Sequence, residues 1–390
     1  NLGLETKEGL AVTGVKAYLN EEEKTNVSLA LIGELDALRI PEHKYANPET
    51  QGAHCCGHHA QMAGIFGAAL ALTVPEIAEK LGGQVVFFAT PAEEYGEIEF
   101  KNQLREQGKI RYGGGKCELI RTGAFDDIDL CLAHHIQPGD EIQVGSGTGN
   151  GFVSKVIRYL GKAAHAAGAP DKGVNALSAA SLGLQALGLN RETFRDEDCV
   201  RVHPIITKGG NLVNVIPDEI VIETLVRAKT IEAFTDAAKK TDRSFQAGAV
   251  AMGAKVEITT LPGYLPTLAE QALPELKRAA ELAAPEVPVR EAAGHSGGST
   301  DVGDVQHLMP VYTFNTGGVK GGLHQINFEV TNEEEAYIDT AKMFALAAYG
   351  LLKEKAARSK ELVKNYKPVF KDSAEYTKFM EQFDSKEVLD

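Results

Sequence analysis

The chain has 390 residues, 43% of them hydrophobic and 24% charged, a composition typical of globular proteins that bury more than one core. Its formal net charge is -14 and it has no long run of lysine and arginine, so neither a nucleic acid nor an anionic membrane is expected as a partner. No segment reaches the roughly 18 to 20 consecutive apolar residues of a membrane span. We therefore expect a soluble protein of two domains.

The five cysteines are few, odd in number and irregularly spaced, which is not the pattern of a disulfide framework. This pattern predicts a reducing compartment and hence a cytoplasmic location. The sequence begins at Asn1 without a methionine. We expect residues to precede it in the full protein, and a targeting segment among them stays open.

From residue 9 to about residue 144, apolar strand-like runs alternate with helical patterns. The first strand-like segment covers residues 9–18, and helices are predicted at residues 61–72 and after Pro75. This alternation predicts a mainly parallel sheet with helices on its faces. A glycine-rich stretch at residues 145–151 is then predicted to be a hinge.

The pattern changes after the hinge to the order β-α-β-β-α-β, which is typical of a ferredoxin-like domain. The predicted elements are a strand at 153–160, a helix at 174–187, strands at 200–208 and 220–228, a helix at 231–252 and a strand at 256–261.

The α/β pattern resumes after Pro266, with a long final helix at about 333–355 and a charged tail beyond Ala356 that we expect to form a surface helix. The predicted fold class is therefore α/β, with a ferredoxin-like βαββαβ domain inserted in a mainly parallel-sheet domain. The first domain comprises residues 1–150 and 263–390, and the inserted one comprises residues 151–262.

Side chains that bind transition metals follow four predicted strands. Residues 54–59 read His-Cys-Cys-Gly-His-His and lie beyond the strand at 27–32, while Glu93-Glu94, His134-His135 and His324 follow strands ending at residues 90, 132 and 315. Ligands bind at the carboxyl ends of strands in open α/β sheets, so we expect these segments to converge on one crevice. Thiolate, imidazole and carboxylate groups together suit a transition metal. The alternative, buried cysteines and core histidines, does not explain their placement at strand ends.

Taken in order, eight stretches of the sequence resemble the aminoacylase and carboxypeptidase G family of dinuclear metallo-amidohydrolases. The resemblance is nearest to the branch that hydrolyses indoleacetyl-amino acids and p-aminobenzoyl-glutamate, and it covers residues 9 to about 350. The stretches are 33–38 (Gly-Glu-Leu-Asp-Ala-Leu), 54–58 (His-Cys-Cys-Gly-His), 91–94 (Pro-Ala-Glu-Glu), 135–138 (His-Ile-Gln-Pro), 161–165 (Gly-Lys-Ala-Ala-His), 214–218 (Asn-Val-Ile-Pro-Asp), 298–302 (Gly-Ser-Thr-Asp-Val) and 323–324 (Leu-His).

The resemblance implies that the chain holds two divalent metal ions, zinc or manganese, with Glu93 as the general base. Adjacent residues of an extended segment point to opposite sides, so Glu94 can hold a metal while Glu93 faces a water molecule. Asp36 corresponds to a carboxylate that orients a ligating imidazole. The implied metal ligands are Cys56, His58, Glu94, His135 and His324.

Two departures from the family concern the surroundings of this site. His59 stands where the family often has aspartate, which leaves the environment of the metals and the metal preference open. Residues 95–112 form an insertion that either shapes an acyl pocket or is an inert surface helix. Cys55 and His134 are each one residue out of register with the implied ligands, and we expect them to be structural.

The inserted domain is implied to be a lid and a dimerisation domain, in which His165, Asn214 and Arg227 bind a substrate's carbonyl oxygen and free carboxylate. The planar guanidinium of Arg227 suits a carboxylate, although an exposed strand charge is the alternative. A free sheet edge and the small residues of the helix at 174–187 predict a symmetric homodimer or a higher homo-oligomer. In such relatives the histidine completes the neighbouring subunit's site, so we expect His165 to act in trans.

The predicted function is hydrolysis of the amide that joins an acyl, aminobenzoyl or aminoacyl group to an amino acid with a free carboxylate. The predicted partner is therefore a small molecule. A dipeptidase or carboxypeptidase of the same chemistry is one alternative. A metal-bound protein without catalysis is another, which the presence of Glu93 beside Glu94 disfavours. A thiol enzyme using Cys55-Cys56 is weaker still, since vicinal cysteines are poorly placed for an unstrained disulfide.

Overall fold

A computed structural model describes residues 2–389 of the chain. The strands are β1 (Glu5–Leu10), β2 (Gly14–Leu19), β3 (Ser28–Glu34), β4 (Leu38–Arg39), β5 (Gly52–Ala53), β6 (Gln84–Thr90), β7 (Leu130–Ile136), β8 (Ile142–Val144), β9 (Thr148–Gly149), β10 (Gly151–Leu160), β11 (Arg201–Val202), β12 (Ile205–Lys208), β13 (Glu219–Ala228), β14 (Lys255–Tyr264), β15 (Val289–Glu291), β16 (His295–Ser296), β17 (Val311–Thr316), β18 (Val319–Lys320), β19 (Glu329–Val330) and β20 (Ser385–Leu389). The α-helices are α1 (His58–Leu72), α2 (Pro75–Ala78), α3 (Ile98–Glu106), α4 (Gly115–Arg121), α5 (Ala176–Asn190), α6 (Ile231–Met252), α7 (Pro274–Ala283), α8 (Val302–Gln306), α9 (Thr340–Asn365) and α10 (Ser373–Met380).

The chain folds into two compact units. Unit 1 contains the residues up to Thr148 together with Thr267–His295 and Asp301–Thr377. Unit 2 contains Gly149–Pro266, Ser296–Thr300 and the residues from Lys378 onward. The sequence predicts that residues 263–390 belong to the first domain, whereas the structure groups residues 263–266, 296–300 and the end of the chain with the inserted unit.

Unit 1 is built on an eight-stranded sheet with the order β1-β2-β6-β3-β7-β17-β8-β15. Strands β6, β3, β7 and β17 run parallel, and β1 and β2 add an antiparallel edge. Every residue of β3 and β6 is buried, as expected for central strands covered on both faces. The predicted mainly parallel sheet is confirmed, and it brings the carboxyl ends of four strands to one edge.

The core of unit 1 joins side chains of the central strands to the helices α1, α7 and α9. Gly64 of α1 lies so close to α9 that a Cβ atom there would be 2.5 Å from Thr340 Cγ2. The sheet and these helices form a rigid base for the loops that follow the strands. None of the helices described is long and apolar enough to cross a lipid bilayer.

Two elements of unit 1 differ from the sequence prediction. The segment at residues 9–18, predicted as one strand, covers the turn of a hairpin between β1 and β2. The turn contains Ala11 and Val12 at φ 45° and 81°. A β-branched residue is rare at positive φ, so the sequence carries no ordinary turn signal there. Strand β7 extends beyond the predicted end at residue 132 and includes both His134 and His135.

Unit 2 is an antiparallel sheet with the order β11-β13-β10-β14-β20, and β12 also pairs with β13. The elements β10, α5, β11 with β12, β13, α6 and β14 follow one another in the βαββαβ order, as predicted for the inserted domain. Its core lies between the sheet and the helices α5 and α6.

The small residues of α5 pack against α6 inside unit 2. Ala176, Ala179, Ala180 and Gly183 are buried, and a Cβ atom at Gly183 would lie 2.9 Å from a ring carbon of Phe245. These residues therefore serve helix packing within the chain, and the expectation that they mark a subunit interface is wrong.

The end of the chain forms the helix α10 and then the strand β20. The expected surface helix is thus followed by a strand, which pairs with β14 from Val256 opposite Leu389 to Thr260 opposite Ser385. The chain's own C-terminal segment covers this sheet edge, so the edge is not free for a second subunit.

Candidate metal centre

The loop after β6 carries Glu93 and Glu94, and a glycine fixes its path. Gly115 approaches Pro91 so closely that a Cβ atom would lie 1.5 Å from the Pro91 carbonyl oxygen. The Gly115 N–H donates to Ala92 O at 2.9 Å, and Ala92 itself has a positive φ of 52°. A larger residue at position 115 would displace the segment that carries both glutamates.

The segment Cys56-Gly57-His58 enters helix α1 through a left-handed residue. Gly57 has φ 85°, and a Cβ atom there would lie 2.1 Å from Ile136 Cγ2. Only glycine fits this close approach, which places Cys56 and His58 on the same side of the turn as the end of β7.

Two groups of metal-ligating atoms share the Cys56 sulfur. Cys56 with His58 and His135 forms one group, and Cys56 with Glu94 and His324 forms the other, with the ligand atoms of each group within 4.8 Å of one another. The Sγ atom lies 3.3 Å from His135 Nε2 and 3.2 Å from His324 Nε2, while His324 Nε2 lies 2.9 Å from Glu94 Oε1. All five predicted ligands therefore meet at one place.

Backbone carbonyls orient two of the imidazoles toward this place. His135 Nδ1 lies 2.7 Å from Ile136 O and His58 Nδ1 lies 3.1 Å from Asp36 O, so both Nδ1 atoms act as donors. Each Nε2 atom then faces the Cys56 group and, once deprotonated, can bind a metal ion.

Asp36 connects a histidine to the glutamate loop. Its Oδ2 atom accepts the Glu94 N–H at 2.8 Å, and its Oδ1 atom lies 3.4 Å from His58 Nδ1. Burial opposes the charge, but His58 and these hydrogen bonds hold the pKa of Asp36 well below its usual range. Asp36 thus has the geometry of the orienting carboxylate that the sequence predicted.

The neighbouring glutamates have different electrostatic environments. Burial and the carboxylates of Glu34 and Asp301 raise the pKa of Glu93 well above its usual range. Burial also favours a higher pKa for Glu94, but its contact with His324 outweighs this effect and holds the pKa of Glu94 below its usual value. A carboxylate with a raised pKa is the stronger base, while one that stays ionised suits a cation.

The centre contains a buried ion cluster that the sequence analysis missed. Lys116 Nζ donates to Glu34 Oε1 and to Asp301 Oδ1, both at 2.6 Å, and the Lys116 N–H donates to Asp301 Oδ2 at 2.8 Å. Glu34 Oε2 in turn lies 3.2 Å from His58 Nε2. Glu34 and Asp301 belong to matched stretches and Lys116 follows the insertion at residues 95–112, but their residue types alone gave no indication of this role.

His134 and Cys55 lie outside the ligand groups and make contacts typical of structural residues. His134 Nε2 lies 2.8 Å from Thr316 Oγ1, and the ring packs on Phe314. Cys55 is fully buried, and burial raises the pKa of its thiol. Its carbonyl oxygen accepts the His324 N–H at 2.9 Å. These contacts fit the structural roles expected for both residues and disfavour a thiol enzyme.

His54 and His59 lie beside the centre but outside both ligand groups. Their ring centroids are 5.6 Å apart, and the His59 ring also contacts the Tyr337 ring edge at 5.7 Å. Burial lowers the pKa of both imidazoles, that of His59 to about 4. A neutral His59 replaces the aspartate that is common in the family.

The predicted residues of the inserted domain lie in unit 2. The Ala166 N–H donates to Asn214 O at 3.0 Å, so the segments carrying His165 and Asn214 are neighbours. The Gly168 N–H donates to His165 Nδ1 at 2.9 Å, which leaves the ring proton on Nε2 as an exposed donor. The Arg227 guanidinium lies 5.4 Å from the Phe152 ring centroid.

Comparisons with known proteins identify the family. The model of peptidase family M20/M25/M40 matches residues 30–349. The Xaa-Arg dipeptidase of Mus musculus is 28% identical over 325 residues, which are 81% of this chain and 67% of the relative. An IAA-amino acid hydrolase of Arabidopsis thaliana is 28% identical over 70% of this chain and 60% of its own length.

A solved structure shows the same fold. A dinuclear metal-binding peptidase of the M20 family from Bacillus subtilis superposes with a TM-score of 0.60 at 22% identity, covering 90% of this chain and 88% of its own. The chain belongs to peptidase family M20/M25/M40. The resemblance is therefore confirmed, and the chain is an enzyme of this family that acts on amide bonds.

The Cys56 thiol is expected to ionise at an unusually low pH in the metal-free protein. Burial opposes ionisation, but the nearby imidazoles of His135, His324 and His58 outweigh it and lower the pKa of Cys56 to about 6 from the usual 9.0. The thiolate should form as the pH rises through 6. The difference in absorbance at 240 nm between the wild type and Cys56→Ser measures this transition, and a midpoint near 9 would contradict it.

Lys116→Met should destabilise unit 1, because it leaves Glu34 and Asp301 buried without their cation. Removing one partner of a buried ion pair costs about 3 to 5 kcal/mol. Denaturant titration of metal-free protein measures the loss, with Lys80→Met at an exposed position as the matched control. A loss no larger than that of the control would show that Lys116 does not balance these carboxylates.

Proposed function

We propose that the enzyme hydrolyses the amide bond between an acyl or aminoacyl group and an amino acid with a free carboxylate. The observation that carries this proposal is the position of Glu93. One of its carboxylate oxygens belongs to a group with Glu34 and His58 whose ligand atoms lie within 4.8 Å of one another, and His58 is also a member of a Cys56 group. A base is thus set directly beside metal-ligating atoms.

The donor set fits two divalent metal ions. His58 Nε2 and Glu94 Oε1 are buried and, among the described residues, form no hydrogen bond of acceptable geometry. Cys56, His58 and His135 would hold one ion, and Cys56, Glu94 and His324 would hold the other. Thiolate, imidazole and carboxylate ligands favour zinc, with manganese as the alternative. The ions would lower the pKa of a water molecule and polarise the carbonyl group.

Glu93 supplies the proton transfers of the reaction. Its carboxylate takes a proton from the attacking water and delivers it to the leaving amine, a role supported by its raised pKa. In unit 2, His165 donates from Nε2 to the carbonyl oxygen, while Asn214 and Arg227 bind the carbonyl group and the free carboxylate of the substrate.

The chemical class of the substrate's acyl group remains to be decided by experiment. The match to the mouse Xaa-Arg dipeptidase over 81% of the chain favours a dipeptide as a second candidate substrate. Values of kcat/KM for dipeptides with C-terminal arginine, N-acyl amino acids, indoleacetyl-amino acids and p-aminobenzoyl-glutamate decide between the classes. Metal-loaded protein that hydrolyses none of them would overturn the proposal.

Glu93→Gln should keep both metal ions and lower kcat by about 100- to 10,000-fold, because it removes the base but no ligand. Glu94→Gln should instead weaken the binding of one ion. Metal analysis after gel filtration and steady-state kinetics on both variants measure the two effects. Loss of metal from Glu93→Gln, or a near-normal rate, would contradict the assigned roles.

We also propose that the enzyme is a cytoplasmic homodimer formed through unit 2. All five cysteines are free, as a reducing compartment would leave them. Since β20 covers one sheet edge, the surface around β12 is the better candidate. Exposed apolar side chains gather there, with relative exposures of 51% for Ile205, 65% for Leu212 and 103% for Val213.

His165 is then expected to act on the partner's substrate. His165→Ala should mainly lower kcat, and Arg227→Ala should raise KM most for substrates with a free carboxylate. Mixing inactive Glu93→Gln and His165→Ala chains under subunit exchange should restore activity. No recovery, with exchange confirmed by mass spectrometry, would mean that His165 serves its own chain or none.

A further inference from the structure

The insertion at residues 95–112 forms helix α3, which places Lys101 beside the glutamate loop. Lys101 Nζ donates a hydrogen bond to the Glu94 carbonyl oxygen at 2.6 Å. The side chain is partly buried, and its ammonium interacts electrostatically with the carboxylates of Asp36, Asp301, Glu93 and Glu94. The insertion therefore delivers a cation to the edge of the metal centre.

The insertion is anchored at both ends beside this contact. The Tyr95 ring centroid lies 4.8 Å from Lys101 Nζ, and a Cβ atom at Gly113 would lie 2.7 Å from the same ring. Ile98, the first residue of α3, is buried. The helix leaves the glutamate loop and returns to it, with the Tyr95 ring between Lys101 and the returning chain.

The contact completes a two-sided clamp on Glu94. Its N–H donates to Asp36 Oδ2 at 2.8 Å, and its carbonyl oxygen accepts from Lys101 Nζ at 2.6 Å. With both backbone polar groups of Glu94 held, the direction of its side chain is set. The adjacent Glu93 is held with it, and a carboxylate oxygen of Glu93 belongs to the group of Glu34 and His58.

We propose that Lys101 is a positioning residue that fixes the Glu94 backbone, so that Glu94 faces the ligand group of Cys56 and His324 while Glu93 faces the substrate water. This role rests on the proposed function. Under this proposal the insertion contributes to catalysis and is not an inert surface helix.

The structure allows two opposite effects of removing Lys101 to be told apart. A neutral residue no longer repels a cation, so electrostatics alone would strengthen metal binding and leave kcat unchanged. Loss of a hydrogen bond from a charged donor acts in the opposite direction, and such bonds are worth about 10- to 100-fold in an equilibrium constant. The positioning role requires the second effect to dominate.

The test compares Lys101→Met, Lys101→Arg and Lys109→Met, the last being an exposed lysine just beyond α3. Lys101→Met should lower the affinity for one of two zinc ions, measured by chelator competition, and lower kcat by about tenfold or more. KM should stay within about twofold, because the positioning role has Lys101 act on the Glu94 backbone and not on the substrate. Lys101→Arg should recover part of both losses, and Lys109→Met should match the wild type.

A third readout is independent of metal and substrate. Hydrogen–deuterium exchange of the peptide covering residues 91–97 in metal-free protein should be faster in Lys101→Met and unchanged in Lys109→Met, at equal melting temperatures. Unchanged exchange and kcat, a tighter zinc affinity, or a raised KM alone would overturn the positioning role. A wild type that binds no metal or cleaves no amide would instead overturn the proposed function, and the exchange experiment would still decide whether Lys101 holds the loop.

Discussion

The Cys56 sulfur is contacted by His135 at the end of β7 and by His324 from the loop between β18 and β19, at 3.3 and 3.2 Å. One atom therefore belongs to both ligand groups, and the loops around it must bring their side chains to that atom. Gly57 permits the turn that places the buried sulfur beside these imidazoles, and the Cys55 carbonyl oxygen accepts the His324 N–H. A change in the path of any of these segments separates the two groups.

Negative charge accumulates around this atom, and its compensation organises the rest of the site. Lys116 is buried against Glu34 and Asp301, and Lys101 lies at the rim of the cluster. Burial opposes the protonation of His58 and His135, but the acidic groups of unit 1 outweigh it and raise the pKa of both imidazoles, so divalent ions would replace protons at this centre. The acidic groups are Glu34, Asp36, Glu93, Glu94, Asp301 and the Cys56 thiolate.

The sequence was sufficient where the pattern is local and strong. Strand β6 lies at Gln84–Thr90 and helix α6 at Ile231–Met252, both as predicted, because long apolar or amphipathic runs are bounded by clear signals. The ligating residues could be predicted because they follow the strands of a parallel sheet. The same reasoning failed for the small residues of α5, since a stripe of small side chains looks alike whether the partner helix is in the same chain or another.

The remaining features depend on contacts between distant parts of the chain. Lys116 meets Glu34 across 82 residues and Asp301 across 185 residues, and nothing near any of them in sequence indicates the others. Strand β20 is short, charged and mostly exposed, so its pairing with β14 is decided by the open edge it covers. The residue type determines the chemistry of a side chain, but the groups that surround the side chain are determined by the fold.

We propose that the sulfur of Cys56 binds both metal ions. Anomalous diffraction from crystals of the zinc-loaded enzyme, recorded on both sides of the zinc absorption edge, tests it most directly. Two peaks are expected, each about 2.3 Å from Cys56 Sγ, one beside His58 and His135 and the other beside Glu94 and His324. A single peak, or two peaks of which only one lies within bonding distance of the sulfur, would contradict it.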